Sequence, residues 1–250
     1  METEAIVLDT IDHGESDLII TFFSQDVGRL SAIAKGAKKS RKRFVNKLEL
    51  FTFLHISYRQ KGSGLAFLSE ADLHTSFLNI RKTPVLYNTA SVIREFILIG
   101  VKEGETDKKI FRLALWALHN LNSGHPATTV LVLFLVRFFG YVGYRPELET
   151  CTGCAVKAQA RAAYRFDYVH GGIVCSNCAA HHRQQTLPVS PGTIMMLLSA
   201  QDMSLERLHR LKISGPSLQE AMTLLHNYGH QLFQRDIISW RYIQKINTSS

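Results

Sequence analysis

The chain has 250 residues, of which 46% are hydrophobic and 20% charged, so it carries enough apolar material for a sizeable core and is not a disordered polyelectrolyte. Lys and Arg number 29 against 21 Asp and Glu, a formal net charge of +8, and this excess points to a polyanionic partner such as nucleic acid or an acidic peptide. The opening METEAIVLDTID has no basic or long apolar region of a secretory signal, and residues 130–136 are far too short an apolar run to cross a bilayer. A cytoplasmic location is therefore expected, with no membrane partner and with cysteines held as thiols or metal ligands rather than disulfides.

Residues 1–78 read as strands. Segments 5–8, 18–23, 29–34, 50–58 and 65–73 are rich in β-branched and aromatic residues. They are separated by His13-Gly14-Glu15-Ser16, Val27-Gly28, a basic run, and the turn at 61–64. Five short strands in about seventy residues suit a small closed barrel, first of all an OB-fold.

At Pro84 the period changes. In 85–100 the residues Leu86, Ala90, Ile93 and Ile97 recur at three- and four-residue steps, and 110–121 and 128–144 behave alike, with a break at Asn122-Ser123-Gly124-His125-Pro126. Segment 128–144 is apolar nearly all round, as a central bundle helix would be. Residues 147–183 read as loop. Helices resume at Ser190-Pro191, are interrupted at Ser214-Gly215-Pro216 and run to about residue 245, with a frayed end at 247–250. The expected class is α+β: a five-stranded OB-fold barrel over 1–80, an all-helical domain over 81–148 and 184–246, and an inserted metal module over 149–183.

Two C-x-x-C pairs, Cys151–Cys154 and Cys175–Cys178, account for all four cysteines and stand twenty residues apart. Each such turn brings two thiolates to one side of a loop, and two turns complete a tetrahedron around zinc. Four protein ligands leave no position for substrate, so the expected zinc is structural. Gly153 and Asn177 are candidate turn residues; His170, His181 and His182 are the histidines near enough to replace a cysteine.

The segment from Lys35 to Arg43 has six Lys or Arg in nine residues: Lys35, Lys38, Lys39, Arg41, Lys42 and Arg43, with Lys47 beyond. Between two barrel strands these form a positive edge suited to single-stranded DNA; Gly36 lets backbone approach a phosphate and Phe44 is a candidate base-stacking ring. No nucleotide-binding or metalloprotease motif occurs, and His13, Glu15 and Asp17 are as well explained by a turn as by acid–base chemistry. An enzyme is not expected. Two other classes remain open: a zinc-ribbon nucleic-acid enzyme and an adaptor that binds only proteins.

In order along the chain, His13-Gly14-Glu15-Ser16-Asp17, Gly28-Arg29-Leu30, Ala34-Lys35-Gly36-Ala37-Lys38, Gly143-Tyr144-Arg145-Pro146-Glu147-Leu148, Phe166-Asp167 and Gly171-Gly172-Ile173-Val174-Cys175 resemble the RecO family of bacterial recombination mediators. That resemblance implies binding to single- and double-stranded DNA and annealing of complementary strands. It also implies action with RecR, and with RecF, in loading RecA onto DNA coated by single-strand-binding protein, whose acidic C-terminal tail is a further partner, and a nucleoid-associated location. Arg112, Arg137 and Arg207 are candidates for meeting that tail on charge alone. Leu135 departs from the pattern, since the family's central helix often carries Glu after its Phe, here Phe134.

Overall fold

A computed structural model describes all residues except 61, 63, 161, 181–185 and 248–250. The chain forms two compact units, Met1–Ser123 and Gly124–Ser250. The break falls within Asn122-Ser123-Gly124-His125-Pro126, where Gly124 takes φ +86°.

Five strands build the first unit: β1 (Glu2–His13), β2 (Asp17–Ser24), β3 (Gly28–Ala34), β4 (Phe53–Arg59) and β5 (Ala66–Thr75). They close in the order β1-β2-β3-β5-β4, with β4 returning to β1. All pairings are antiparallel except β3 with β5, where Ala32 faces Ala66 and Ile33 faces Phe67. This is the closed five-stranded barrel that the strand spacing predicts. Alternation sends Ala5, Val7, Ile20, Phe22, Leu54, Ile56 and Leu68 into one core. Ile6, Leu8, Phe23 and Phe53, on the other face of the same strands, are buried too. They are covered because three helices follow: α1 (Leu78–Lys82), α2 (Pro84–Gly100) and α3 (Lys108–Asn122).

Those helices are bound to the barrel by specific contacts. The Phe111 ring of α3 lies 5.7 Å from Phe23 and 6.2 Å from Phe53. Arg94 of α2 donates to the Leu8 carbonyl and pairs with Asp9 at 2.8 Å. Arg29 of β3 reaches the end of α2, donating to the carbonyls of Leu98 and Val101, groups a helix terminus leaves without partners. Gly28 takes φ +68°, and a Cβ there would lie 2.1 Å from the Glu105 carbonyl oxygen, so backbone meets backbone at a point only glycine allows.

The second unit is centred on α4 (Ala127–Tyr141), whose Val130–Val136, Phe138 and Phe139 are all buried. Around it lie α6 (Pro191–Asp202) and α8 (Gly215–Phe233), with the shorter α5 (Ser176–Ala179), α7 (Leu205–Leu208) and α9 (Trp240–Asn247). Ser190 and Ser214 cap α6 and α8 by accepting the N–H groups of Thr193 and Ser217, each at 3.3 Å. One expectation is corrected here. Residues 147–183 are not only loop: they hold β6 (Tyr164–Asp167) and β7 (Gly172–Cys175), which join β8 (Thr186–Val189) in a sheet of order β7-β6-β8. Each strand has four residues, too few to show a period against the flanking turns, and the pairing of Tyr164 with both Cys175 and Val189 exists only in three dimensions.

Candidate nucleic-acid interface and cysteine centre

The basic segment leaves β3 at Ala34 and turns through Gly36, which takes φ +66°. A single 3-10 turn at Ala37–Lys39 follows. The tip of the β1–β2 hairpin grips its start. Asp17 Oδ1 accepts the Gly36 N–H at 2.8 Å, and Oδ2 pairs with Lys35 Nζ at 2.9 Å. The Ser16 carbonyl accepts the Lys38 N–H at 3.0 Å. Lys38 Nζ lies 2.9 Å from Asp12 Oδ2 and 3.1 Å from the Gly14 carbonyl. The Gly36 N–H and then the Lys35 ammonium hold the Asp17 carboxyl down to about 2.

The six cations are therefore not equivalent. Lys35 and Lys38 face carboxylates, and Arg43 donates to the Lys35 carbonyl at 2.8 Å while covering the Phe44 ring at 4.4 Å. Lys39, Arg41 and Lys42 are exposed and have no ion pair among the described residues. Lys47 Nζ is half-buried, donating to the Ala71 carbonyl at 2.5 Å with Asp72 at 3.5 Å. Phe44 corrects an expectation. It is 3% exposed and belongs to the barrel core, so its faces are closed to a base; it anchors the segment instead, with its N–H bound to Ser40 Oγ at 3.0 Å. The sequence signal was a burial pattern, since Phe44 and Leu48 stand four apart and both turn inward.

In the second unit, the Sγ atoms of Cys151, Cys154, Cys175 and Cys178 lie within 4.8 Å of one another and could hold a metal ion. The fit to a metal can be tested on geometry. A tetrahedron with metal–sulfur bonds of ~2.3 Å has sulfur–sulfur edges of ~3.8 Å, and Cys154 and Cys175 stand 3.8 Å apart. Charge gives a second test. Burial opposes ionisation of Cys151, but the N–H groups of Cys175, Gly153 and Cys154 outweigh it and bring the thiol down to about 6. Cys178 is pushed up to about 12, chiefly by its hydrogen bonds to Cys175 and Cys154. Four thiolates this close repel one another, and a bound divalent cation is what allows them all to ionise.

The sheet and the helices around it make the cluster. Cys175 ends β7 and precedes α5, which carries Cys178. Asn177 is thus helical rather than a turn residue. Gly153 sits close against a ligand: a Cβ there would lie 3.0 Å from both Cβ and Sγ of Cys178, so that side chain would have to give by a few tenths of an ångström. The residue with left-handed backbone is Ala155, φ +59°. His170 does not join the sulfurs; its Nδ1 lies 2.9 Å from Asp167 Oδ2. His181 and His182 fall outside the described residues.

Of the arginines singled out by charge, Arg112 is exposed on α3 and Arg207 on α7. Arg137 has a structural task. Its guanidinium donates to the carbonyls of Ala200 at 3.2 Å and Met203 at 2.7 Å, which closes the end of α6, and to Tyr141 Oη at 2.8 Å. Leu135 is fully buried, so an acid in its place would lack solvent. Among the described residues, no helix is long and apolar enough to cross a membrane.

Two family models match in succession: Recombination protein O N terminal over residues 1–77, and Recombination protein O C terminal over residues 81–241. The chain is 33% identical to a DNA repair protein RecO of Syntrophobacter fumaroxidans over 247 residues, covering 99% of this chain and 98% of that one. It is 35% identical over 231 residues to the DNA repair protein RecO of Desulfatibacillum aliphaticivorans, 90% of this chain and 89% of that one. The same name belongs to a relative from Syntrophus aciditrophicus, 31% identical over 247 residues, 98% of this chain and 95% of that one. A barrel matched by the first model, helices and a cysteine cluster within the second, and relatives aligned end to end agree: the chain belongs to the Recombination protein O family of DNA repair proteins.

Proposed function

We propose that this protein binds single- and double-stranded DNA through the β3–β4 connection and anneals complementary strands. The barrel end of the chain, residues 1–80, carries that contact, and the cysteines hold one structural zinc in a module over 149–183 within the helical domain. Two strands approaching each other are opposed by phosphate repulsion, and a dense fixed positive edge offsets it without nucleotide hydrolysis. The supporting observation is the set of three exposed cations, Lys39, Arg41 and Lys42, unpaired among the described residues, beside a segment fixed at its start by Asp17. Their charge is available to phosphate without first breaking an ion pair.

In this reading the protein acts in the cytoplasm at the nucleoid. It works with RecR, and with RecF, to help load RecA onto DNA coated by single-strand-binding protein, whose acidic tail it engages. Membership of a DNA repair family supports that setting. The zinc assignment rests on the four-sulfur donor set, which suits that ion.

A strand-annealing assay on bare and protein-coated DNA tests the proposal. The triple change Lys39→Glu, Arg41→Glu, Lys42→Glu should abolish annealing while the circular dichroism spectrum and metal content stay unchanged. Annealing that survives the triple change would place the DNA contact elsewhere. A wild-type chain that captures partner proteins but no DNA at low salt would favour the protein-only adaptor.

A further inference from the structure

The β3–β4 connection encloses space as well as carrying charge. Between it and strands β1 and β2 lies an open cavity of about 520 Å³, within the size range of small-molecule sites. Leu18 and Ala37 contribute apolar surface, and Thr10, Ser40, Asn46 and Glu49 contribute polar atoms. Those atoms have capacity to spare. Ser40 Oγ accepts the Phe44 N–H at 3.0 Å, and among the described residues its own proton has no acceptor. Thr10 Oγ1 gives its proton to the Leu48 carbonyl at 3.0 Å and keeps its lone pairs. The Asn46 amide and the Glu49 carboxylate are exposed, with no side-chain hydrogen bond among the described residues.

Charge decides what such a cavity accepts. Two charged residues line it, Lys38, whose Nζ is held 2.9 Å from Asp12 Oδ2, and Glu49, whose open carboxylate repels phosphate, while Lys39, Arg41 and Lys42 lie on the same connection with no ion pair among the described residues. A neutral planar group with donors on its edge meets the opposite balance. Its amino group finds a carboxylate, its remaining edge finds an amide and a hydroxyl, and its faces find Leu18 and Ala37. We infer that the cavity takes one unstacked, amino-bearing base of a single DNA strand, with the flanking phosphates on Lys39, Arg41 and Lys42. This rests on the DNA reading above and adds a base site to a contact otherwise made by backbone charge alone. It also gives annealing a geometry, since a strand held by one base per protein presents its other bases for pairing.

The test compares a cytosine-containing single strand with a strand of equal length that is abasic in its central portion, titrated at matched salt. The intact strand should bind about tenfold more tightly, with the same slope of log K on log salt. Asn46→Gly with Glu49→Gln should reduce that ratio to near one. Glycine suits the left-handed backbone of Asn46, φ +54°, and thermal unfolding checks that the variant folds. Equal affinity for intact and abasic strands, with salt dependence retained, would overturn the base site and leave the phosphate contact standing. No binding of either strand at low salt would overturn both.

Discussion

Asp17 Oδ1 accepts the backbone N–H of Gly36 at 2.8 Å, which ties the tip of the first hairpin to the first turn of the basic segment. Because ionised Asp17 is favoured by that bond, its folded-state titration lies below the ordinary carboxylate value of 3.8, at about 2. The sign follows from proton counting. Between those values the unfolded chain binds more protons than the folded one, so the tie stabilises fully above about pH 4 and is lost as pH falls through about 2. Carboxyl NMR should show Asp17 titrating near pH 2. In Asp17→Ala, which removes the acceptor, the Gly36 amide should lose hydrogen-exchange protection while barrel amides keep theirs.

Asp12 acts differently, since it only neutralises. Removing it in Asp12→Asn should release Lys38 for phosphate. With Lys39, Arg41, Lys42 and Arg43 outside any ion pair among the described residues, the slope of log K on log salt for a single strand should be about −3, against about −4 if all six took part. Asp12→Asn should steepen the wild-type slope by about 0.7 and raise affinity at low salt, as fluorescence anisotropy across a salt series would record. A wild-type slope near −4 would mean that phosphate displaces both carboxylates.

Phe44 separates anchoring from stacking. Phe44→Ala should cost about 3–5 kcal/mol of unfolding free energy through the cavity left in the barrel core. Phe44→Leu refills most of that space without an aromatic face. It should keep both fold and DNA affinity within about twofold; a stacking ring would lose affinity at unchanged stability.

The cysteine centre should govern stability of the second unit before it governs DNA contact. Cys151 is 1% exposed and accepts the Cys175 N–H at 3.3 Å. Cys151→Ser should abolish bound metal by elemental analysis and lower unfolding free energy by more than about 2 kcal/mol. Gly153→Ala should weaken metal binding by pushing on Cys178, although it alters no ligand. Below the unfolding temperature, chelation should leave DNA affinity nearly unchanged.

Gly28→Ala makes a matching test in the first unit. Its Cβ would meet the Glu105 carbonyl oxygen at 2.1 Å at a left-handed φ, so it should cost about 2–4 kcal/mol, read by chemical denaturation. Metal content should not change.

The sequence by itself determined those features that repeat or cluster within a few residues. Runs rich in β-branched and aromatic residues between turn signals marked five strands, three- and four-residue steps marked α2 to α4, Ser-Pro marked the start of α6, and paired C-x-x-C marked the sulfur donors. Each is a local consequence of backbone geometry or ligand reach. Tertiary structure decided what depends on partners distant in the chain. Phe44 became core because Leu48 and the barrel interior surround it. Lys35 and Lys38 met carboxylates because a hairpin some twenty residues earlier lies against them, which leaves Lys39, Arg41, Lys42 and Arg43 outside any ion pair among the described residues. Arg137 became a helix cap because α6 ends beside it. The β6–β8 sheet formed from strands too short to announce themselves. A side chain's charge or ring is written in the sequence, but whether that group remains free is set by what the fold brings within about 4 Å of it.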